Sequence, residues 1–237
     1  MRVLATGAHP DDVELSCGGV VAKLTATGHE VCIVDFTEGE MGSRGTVADR
    51  YSESEEAMRI LRVSKRVNLQ MPDGFFEVNE ENLRLLVAEI REFRPDIILA
   101  NAENDRHPDH GRGAELAERA AFLSGLNKFH TTSKSGKPQD IHRVRLVLHY
   151  IQYRDITPDV AIDISDFFDQ KMDSIRAYKT QFYDPKSNEP LTPIATEQFM
   201  QSHRYRASEL GRQIGVKFAE GFTCRRPIAV HDLSSLL

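Results

Sequence analysis

Short apolar runs alternate along this chain with segments of helical period. That alternation argues for an α/β fold: a mostly parallel sheet with helices on both faces. Residues 3–5, 31–36, 67–69, 96–100, 144–150 and 160–164 read as strands. Residues 20–27, 49–61, 80–93, 113–123, 166–182 and 197–215 read as helices, with Pro95 ending the third. In the helix over 49–61, Ala57, Ile60 and Leu61 form the apolar stripe, and Glu53, Glu55, Glu56 and Arg59 take the wet side. Residues 37–46, 128–142 and 184–190 are polar and read as loops, whereas 217–230 fits neither pattern. No internal repeat or composition break divides the 237 residues, so one domain over 1–237 is expected.

Two of the loops carry chemistry. Ala8-His9-Pro10-Asp11-Asp12-Val13-Glu14 follows the first strand, and Asp105-Arg106-His107-Pro108-Asp109-His110 follows the strand over 96–100. In open α/β sheets, ligands bind in the crevice outside the carboxyl ends of the strands. Loops from two such ends can face each other there and share a metal ion. Imidazole and carboxylate suit zinc, and a catalytic zinc keeps a position beyond its three protein ligands. His9, Asp12 and His110 can supply such a trio. Pro10 stiffens the turn that would aim His9 and Asp12 inward. Asp11 is then free to take a proton from the attacking water. His107 can stabilise an oxyanion or protonate a leaving amine as a charged imidazole. Asp109 can fix a histidine tautomer from behind. The bland alternative is that Asp11 and Asp12 merely cap the following helix. Two clusters of the same chemistry, both at strand ends, favour the metal. Without thiolate ligands, Fe2+, Mn2+ and Co2+ would suit the site as well as Zn2+. The other histidines, His29, His130, His142, His149, His203 and His231, read as surface or packing residues. His149, at a strand end, is the one of these that could line the expected site.

Composition narrows the function classes. A net charge of −6 gives no basic footprint for nucleic acid or an anionic membrane. No apolar run approaches the roughly 20 residues that cross a bilayer. The first residues enter a strand without a signal-peptide pattern, and Cys17, Cys32 and Cys224 show no paired spacing, so a reduced, cytoplasmic setting is expected. Cys17, beside Gly18-Gly19, reads as a small buried residue.

The paired motifs closely resemble the zinc-dependent de-N-acetylases of the PIG-L / LmbE-like family. Further stretches are similar to its bacillithiol-biosynthesis branch, the N-acetylglucosaminyl-malate deacetylases. They are Asp35-Phe36-Thr37-Glu38-Gly39-Glu40, Asn68-Leu69-Gln70-Met71-Pro72-Asp73 and Ala219-Glu220-Gly221-Phe222. The resemblance implies a Rossmann-like single domain, often assembled as a hexamer. It also implies His9, Asp12 and His110 as zinc ligands, Asp11 as general base and His107 at the oxyanion or leaving group. The expected substrate is a small N-acetylglucosaminide. A malate aglycone has two carboxylates, and Arg50 and Arg106 are the expected grips. Their structural alternatives are pairing with Glu53 and bracing of Asp109. The loop over 128–142 is longer and more polar than that branch leads one to expect. Three other classes fit less well. A non-haem iron oxygenase would carry His-x-Asp on an antiparallel scaffold. A dinucleotide binder would carry G-x-G-x-x-G after the first strand. A sugar-binding module with an inactive site would not need every catalytic position filled.

Overall fold

The computed structural model describes residues 1–230 and residue 232; His231 lies outside the described residues. Its core is a sheet of β1 (Arg2–Gly7), β2 (Glu30–Thr37), β3 (Lys65–Met71), β4 (Ile97–Ala100), β5 (Leu146–Tyr150), β6 (Val160–Asp163) and β7 (Ala219–Thr223). The strand order is β3-β2-β1-β4-β5-β7-β6. The first five strands in that order pair in parallel, and β7 runs antiparallel to both β5 and β6. The strands expected from the apolar runs are all present, and the unassigned stretch over 217–230 supplies β7.

Buried side chains divide between the two faces with the period of two that a strand imposes. Val3 and Ala5 of β1, with Val31 and Ile33 of β2, join one cluster. Leu4, Cys32 and Val34 join the other. Helices α1 (Asp12–Ala26), α2 (Val47–Leu61), α5 (Phe168–Arg176) and α6 (Glu197–Ile214) cover the first face. The second face is covered by α3 (Glu80–Phe93) and α4 (Pro108–Ser124). Strands buried on both sides explain why the sequence shows continuous apolar runs rather than alternation. Residues 128–142 form the expected loop, with an isolated bridge between Thr132 and Pro138 and with Arg91 of α3 donating to the Phe129 carbonyl and the Thr131 hydroxyl.

Three expectations are corrected. First, α1 begins at Asp12, eight residues before the apolar stretch suggests, and is kinked at Cys17. Beyond the kink, the Gly19 and Val20 N–H groups donate to the buried Glu220 carboxylate at 3.0 and 2.7 Å, so the break leaves neither donor unpaired. Cys17 packs at that kink, buried, and burial pushes its thiol well up. Second, α5 ends at Arg176 although Tyr178 and Phe182 continue the apolar period. The chain leaves the helix because Thr180 and Gln181 are drawn to other partners: the Thr180 N–H and hydroxyl donate to Glu53, and Gln181 Nε2 donates to the Arg44 carbonyl. Third, Glu53 is therefore buried rather than solvated. Among the described residues, no helix is long and apolar enough to cross a membrane.

Candidate metal centre and active-site cleft

β1 and β4 are neighbours, and the chain leaves them in opposite directions across the sheet. Their carboxyl ends therefore open the crevice where the strand order reverses. The two His/Asp clusters meet there.

Asp11 occupies the N-cap of α1 at φ 118°, a region costly for any residue but glycine. It makes no capping hydrogen bond. Arg50 Nη1 instead donates to Asp11 Oδ2 at 3.0 Å and to the Pro10 carbonyl at 2.8 Å. Asp12 does not cap either: its Oδ2 accepts the backbone N–H of His9 at 3.0 Å. The alternative that the Asp pair only caps a helix does not fit these contacts.

The two imidazoles flank Asp12. His9 Nδ1 lies 3.7 Å from Asp12 Oδ2, and His110 Nε2 lies 3.2 Å from Oδ1. The outer nitrogens meet other acids. His9 Nε2 is 3.1 Å from Asp73 Oδ1 and 3.4 Å from Asp109 Oδ2. His110 Nδ1 is 2.7 Å from Asp105 Oδ2. With the outer nitrogens engaged by acids, the inner nitrogens face Asp12, and it is these that would give up a proton and offer a lone pair to a cation. Metal-binding histidines are held in this way by carboxylates behind them. Two imidazoles and one carboxylate, with tautomers fixed from outside, fit a zinc-type ion. The groups whose ligand atoms all lie within 4.8 Å of one another are His9 with His107 and His110, and His9 with Asp73 and Asp109; Asp12 joins neither, although each of its oxygens faces one of the two imidazoles. In the second group the acids are already engaged. Asp73 Oδ2 accepts from Met41 N–H, and Asp109 accepts from Gly74 N–H and Arg112.

Charge is unevenly distributed. Burial pushes the Asp11 carboxyl up to about 7, against the pull of Arg50 and with the push of Asp12. Burial would raise Asp12 too, but His110 and His9 hold it well below the usual carboxylate range. His9 would be lowered by burial, yet Asp109, Asp12 and Asp73 raise it. His110 goes up to about 9, with burial opposed by Asp12 and Asp105. His107 differs: burial, His9 and His110 all lower it. It caps α4, and its Nδ1 accepts the Asp109 N–H at 3.3 Å. The neutral ring therefore carries its proton on Nε2. In this metal-free arrangement the ring stands as an N–H donor.

The cleft holds about 460 Å³, and Phe75, Tyr153 and Phe199 help to line it. Arg50 and Arg106 line it too. Arg50 pairs with Asp11, not with Glu53. Arg106 stacks over the Tyr153 ring at 5.0 Å, and Asp109 is braced by Arg112 at 2.5 Å rather than by Arg106. His149 does not line the cleft; it is fully buried behind Asn101. Sequence reasoning assigned no role to Asp73, Asp105, Asn101 or Gln152. Asp73 sits in a Pro-Asp-Gly turn, where a turn role sufficed. Gln152 follows β5 with no charged neighbour to mark it.

Comparison with known proteins agrees with this geometry. Residues 4–121 match the PIG-L family, described as GlcNAc-PI de-N-acetylase. Diacetylchitobiose deacetylase of Thermococcus kodakarensis is 30% identical over 191 residues, 76% of this chain and 70% of that protein. The conserved protein TT1542 from Thermus thermophilus superposes with a TM-score of 0.85 at 33% identity, over 96% of both chains. The N,N'-diacetylchitobiose deacetylase of Pyrococcus horikoshii, solved with an inhibitor, gives 0.79 at 28% identity, over 93% of this chain and 82% of that one. With the same fold end to end and a relative of this identity spanning most of its length, the chain belongs to the PIG-L family of de-N-acetylases and is an enzyme of the deacetylase class.

Proposed function

We propose that this chain hydrolyses the N-acetyl group of an N-acetylglucosaminide, and that its preferred substrate is N-acetylglucosaminyl-malate of bacillithiol biosynthesis. The observation that carries the catalytic half is the pair of imidazoles turned toward Asp12 and fixed from behind by Asp73, Asp109 and Asp105. In this reading His9, Asp12 and His110 hold zinc; Fe2+, Mn2+ or Co2+ would suit the same donors. A divalent cation bound there supplies Lewis acidity, polarising the amide carbonyl and acidifying the attacking water. Asp11 takes the proton of that water as its oxygen adds to the carbonyl carbon. His107 donates from Nε2 to the developing oxyanion. Asp109 keeps the His9 tautomer. The C–N bond breaks as the amine nitrogen receives the proton Asp11 has carried, leaving acetate and a free amine.

The malate half rests on the two arginines. Arg50 uses only Nη1 for Asp11 and Pro10, so its Nε and Nη2 donors remain for a carboxylate. Arg106 has no carboxylate partner within the described residues and is held over Tyr153. Two guanidinium groups with spare donors suit a dicarboxylate. A second reading, a neutral disaccharide, is favoured by the exposed rings of Phe75 and Tyr153 at the cleft and by the two relatives named as diacetylchitobiose deacetylases. The reading includes a homo-oligomer, hexameric as the family resemblance implies, working in the cytoplasm. Three unpaired cysteines support the reduced setting, and sedimentation equilibrium tests the assembly.

The deciding experiment measures acetate release by zinc-loaded protein from N-acetylglucosaminyl-malate, diacetylchitobiose and N-acetylglucosamine. The malate conjugate is expected to give the highest kcat/KM. Arg106→Ala should raise its KM roughly tenfold or more, the ~1.5–3 kcal/mol of a hydrogen bond to a charged group, and leave N-acetylglucosamine nearly unchanged. Equal effects on both, with diacetylchitobiose the better substrate, would favour the disaccharide. No acetate from any of the three would overturn the deacetylase mechanism drawn here.

A further inference from the structure

Behind the ligands lies a second arrangement that the reaction scheme does not use. Asp12 is gripped by two side-chain amides from neighbouring strand ends. Asn101, just past β4, donates Nδ2 to Asp12 Oδ2 at 3.0 Å. Gln152, just past β5, donates Nε2 to Asp12 Oδ1 at 2.5 Å. The opposite ends of both amides, Asn101 Oδ1 and Gln152 Oε1, are buried without a partner. A buried acceptor left unpaired costs about 1–3 kcal/mol. Neither amide is therefore placed for its own satisfaction; each is turned so that its donor meets Asp12.

Both amides are anchored through their own backbones. The Asn101 carbonyl accepts from His149 Nδ1 at 2.8 Å, and His149 Nε2 meets Glu118 at 3.0 Å. The Gln152 carbonyl accepts from Arg206 of α6. The grip thus ties Asp12 to β4, β5, α4 and α6.

A carboxylate offers about four lone-pair positions. Oδ2 spends two on His9 N–H and Asn101. Oδ1 spends one on Gln152, and its other side faces His110 Nε2 at 3.2 Å. We propose that Asn101 and Gln152 are positioning residues that form an amide clamp on Asp12 and hold its carboxylate in the one orientation in which it faces both imidazoles and would receive a cation. The proposal rests on Asp12 being a metal ligand, as proposed above. Without the clamp the carboxylate can rotate and compete for other donors, and the metal site loses its preset geometry.

The test is zinc affinity of the metal-free full-length protein, measured by competition with a chromophoric chelator, alongside its melting temperature without metal. Wild type should bind one zinc, and Asp12→Ala should lose it. Gln152→Met and Asn101→Leu keep side-chain length and remove the donors. Each should weaken zinc 10–100-fold, the usual effect of losing an outer partner of a ligand, while the metal-free melting temperature stays close to wild type. The double variant should be weaker than either. Wild-type affinity in both single variants, with Asp12→Ala still defective, overturns the clamp and leaves the site intact. Wild-type affinity in Asp12→Ala overturns the site assignment and the clamp with it. Should one variant fail to fold, the other decides alone, because the two amides act on different oxygens of Asp12.

Discussion

Asp11 and Asp12 are chemically identical neighbours with opposite electrostatics. Asp12 lies among His9, His110 and two amide donors and is held ionised. Asp11 is buried with a single guanidinium, and burial pushes its carboxyl up to about 7, toward the range in which a carboxylate can both accept and return a proton. Asp11→Asn keeps the shape and removes the basicity. Bound zinc is expected to stay near one per chain while kcat falls by roughly 10²–10⁴. Metal analysis beside turnover checks this, and loss of zinc restored by excess metal would make Asp11 a ligand instead. The residue types and their two loops were legible in the sequence because His and Asp at strand ends have few structural uses in such density. The outer acids were not. Asp73 and Asp105 act through distance to His9 and His110, which sequence separation does not encode, and an Asp in a turn already has a sufficient reason to be there.

At the scale of an element, α6 brings an unusual histidine to the cleft. His203 is buried on α6, its Nε2 has no partner, and its ring meets Phe199 edge-on at 4.9 Å. Burial, with Lys171 and Arg206 nearby, pushes its pKa down to about 3. The folded state therefore excludes a proton that the unfolded chain binds at about 6.5. A base lowered on folding contributes stability that is present above about pH 6.5 and is lost as pH falls toward about 3. Between pH 8 and pH 5 the loss is about 2 kcal/mol, set mainly by the unfolded value because the folded ring stays neutral throughout. His203→Gln should thus gain about 2 kcal/mol on wild type at pH 5 relative to their difference at pH 8. Urea midpoints with a chelator present measure it, and a pH-independent difference would mean that the ring is not held neutral. The helix itself was visible from its period and from Gly215, which ends it in the left-handed conformation. β7 was not visible, because Glu220 and Gly221 interrupt its apolar pattern. Glu220 is buried there as the acceptor for Lys171 and for the N–H groups freed by the α1 kink. A charged residue with internal partners hides a strand from any reading based on hydrophobicity.

At the scale of the molecule, the site is assembled from four strand ends: His9 to Asp12 after β1, Asp73 after β3, Asn101 to His110 after β4, and Gln152 after β5. The parallel pairing of these strands followed from the alternation of runs, and the meeting of the two clusters from their places at strand ends; the strand order did not. The antiparallel insertion of β7 between β5 and β6 did not, because neighbouring order in a sheet depends on how distant segments pack. Because the proposed ligands belong to loops far apart in sequence, an ion that binds them favours the folded chain and has little hold on the unfolded one. Zinc at about 100 times its Kd should therefore add about 2.7 kcal/mol. For a chain of this size that corresponds to a rise in Tm of roughly 5–10 °C. Scanning calorimetry of chelator-treated protein, with and without zinc, measures the rise, and Asp12→Ala should abolish it. A full shift retained in Asp12→Ala would mean that the stabilising ion binds away from the β1 and β4 loops. The outer acids, Asp73, Asp105 and Asp109, would then be the groups to vary next, since they bring carboxylate oxygens close to the same two histidines.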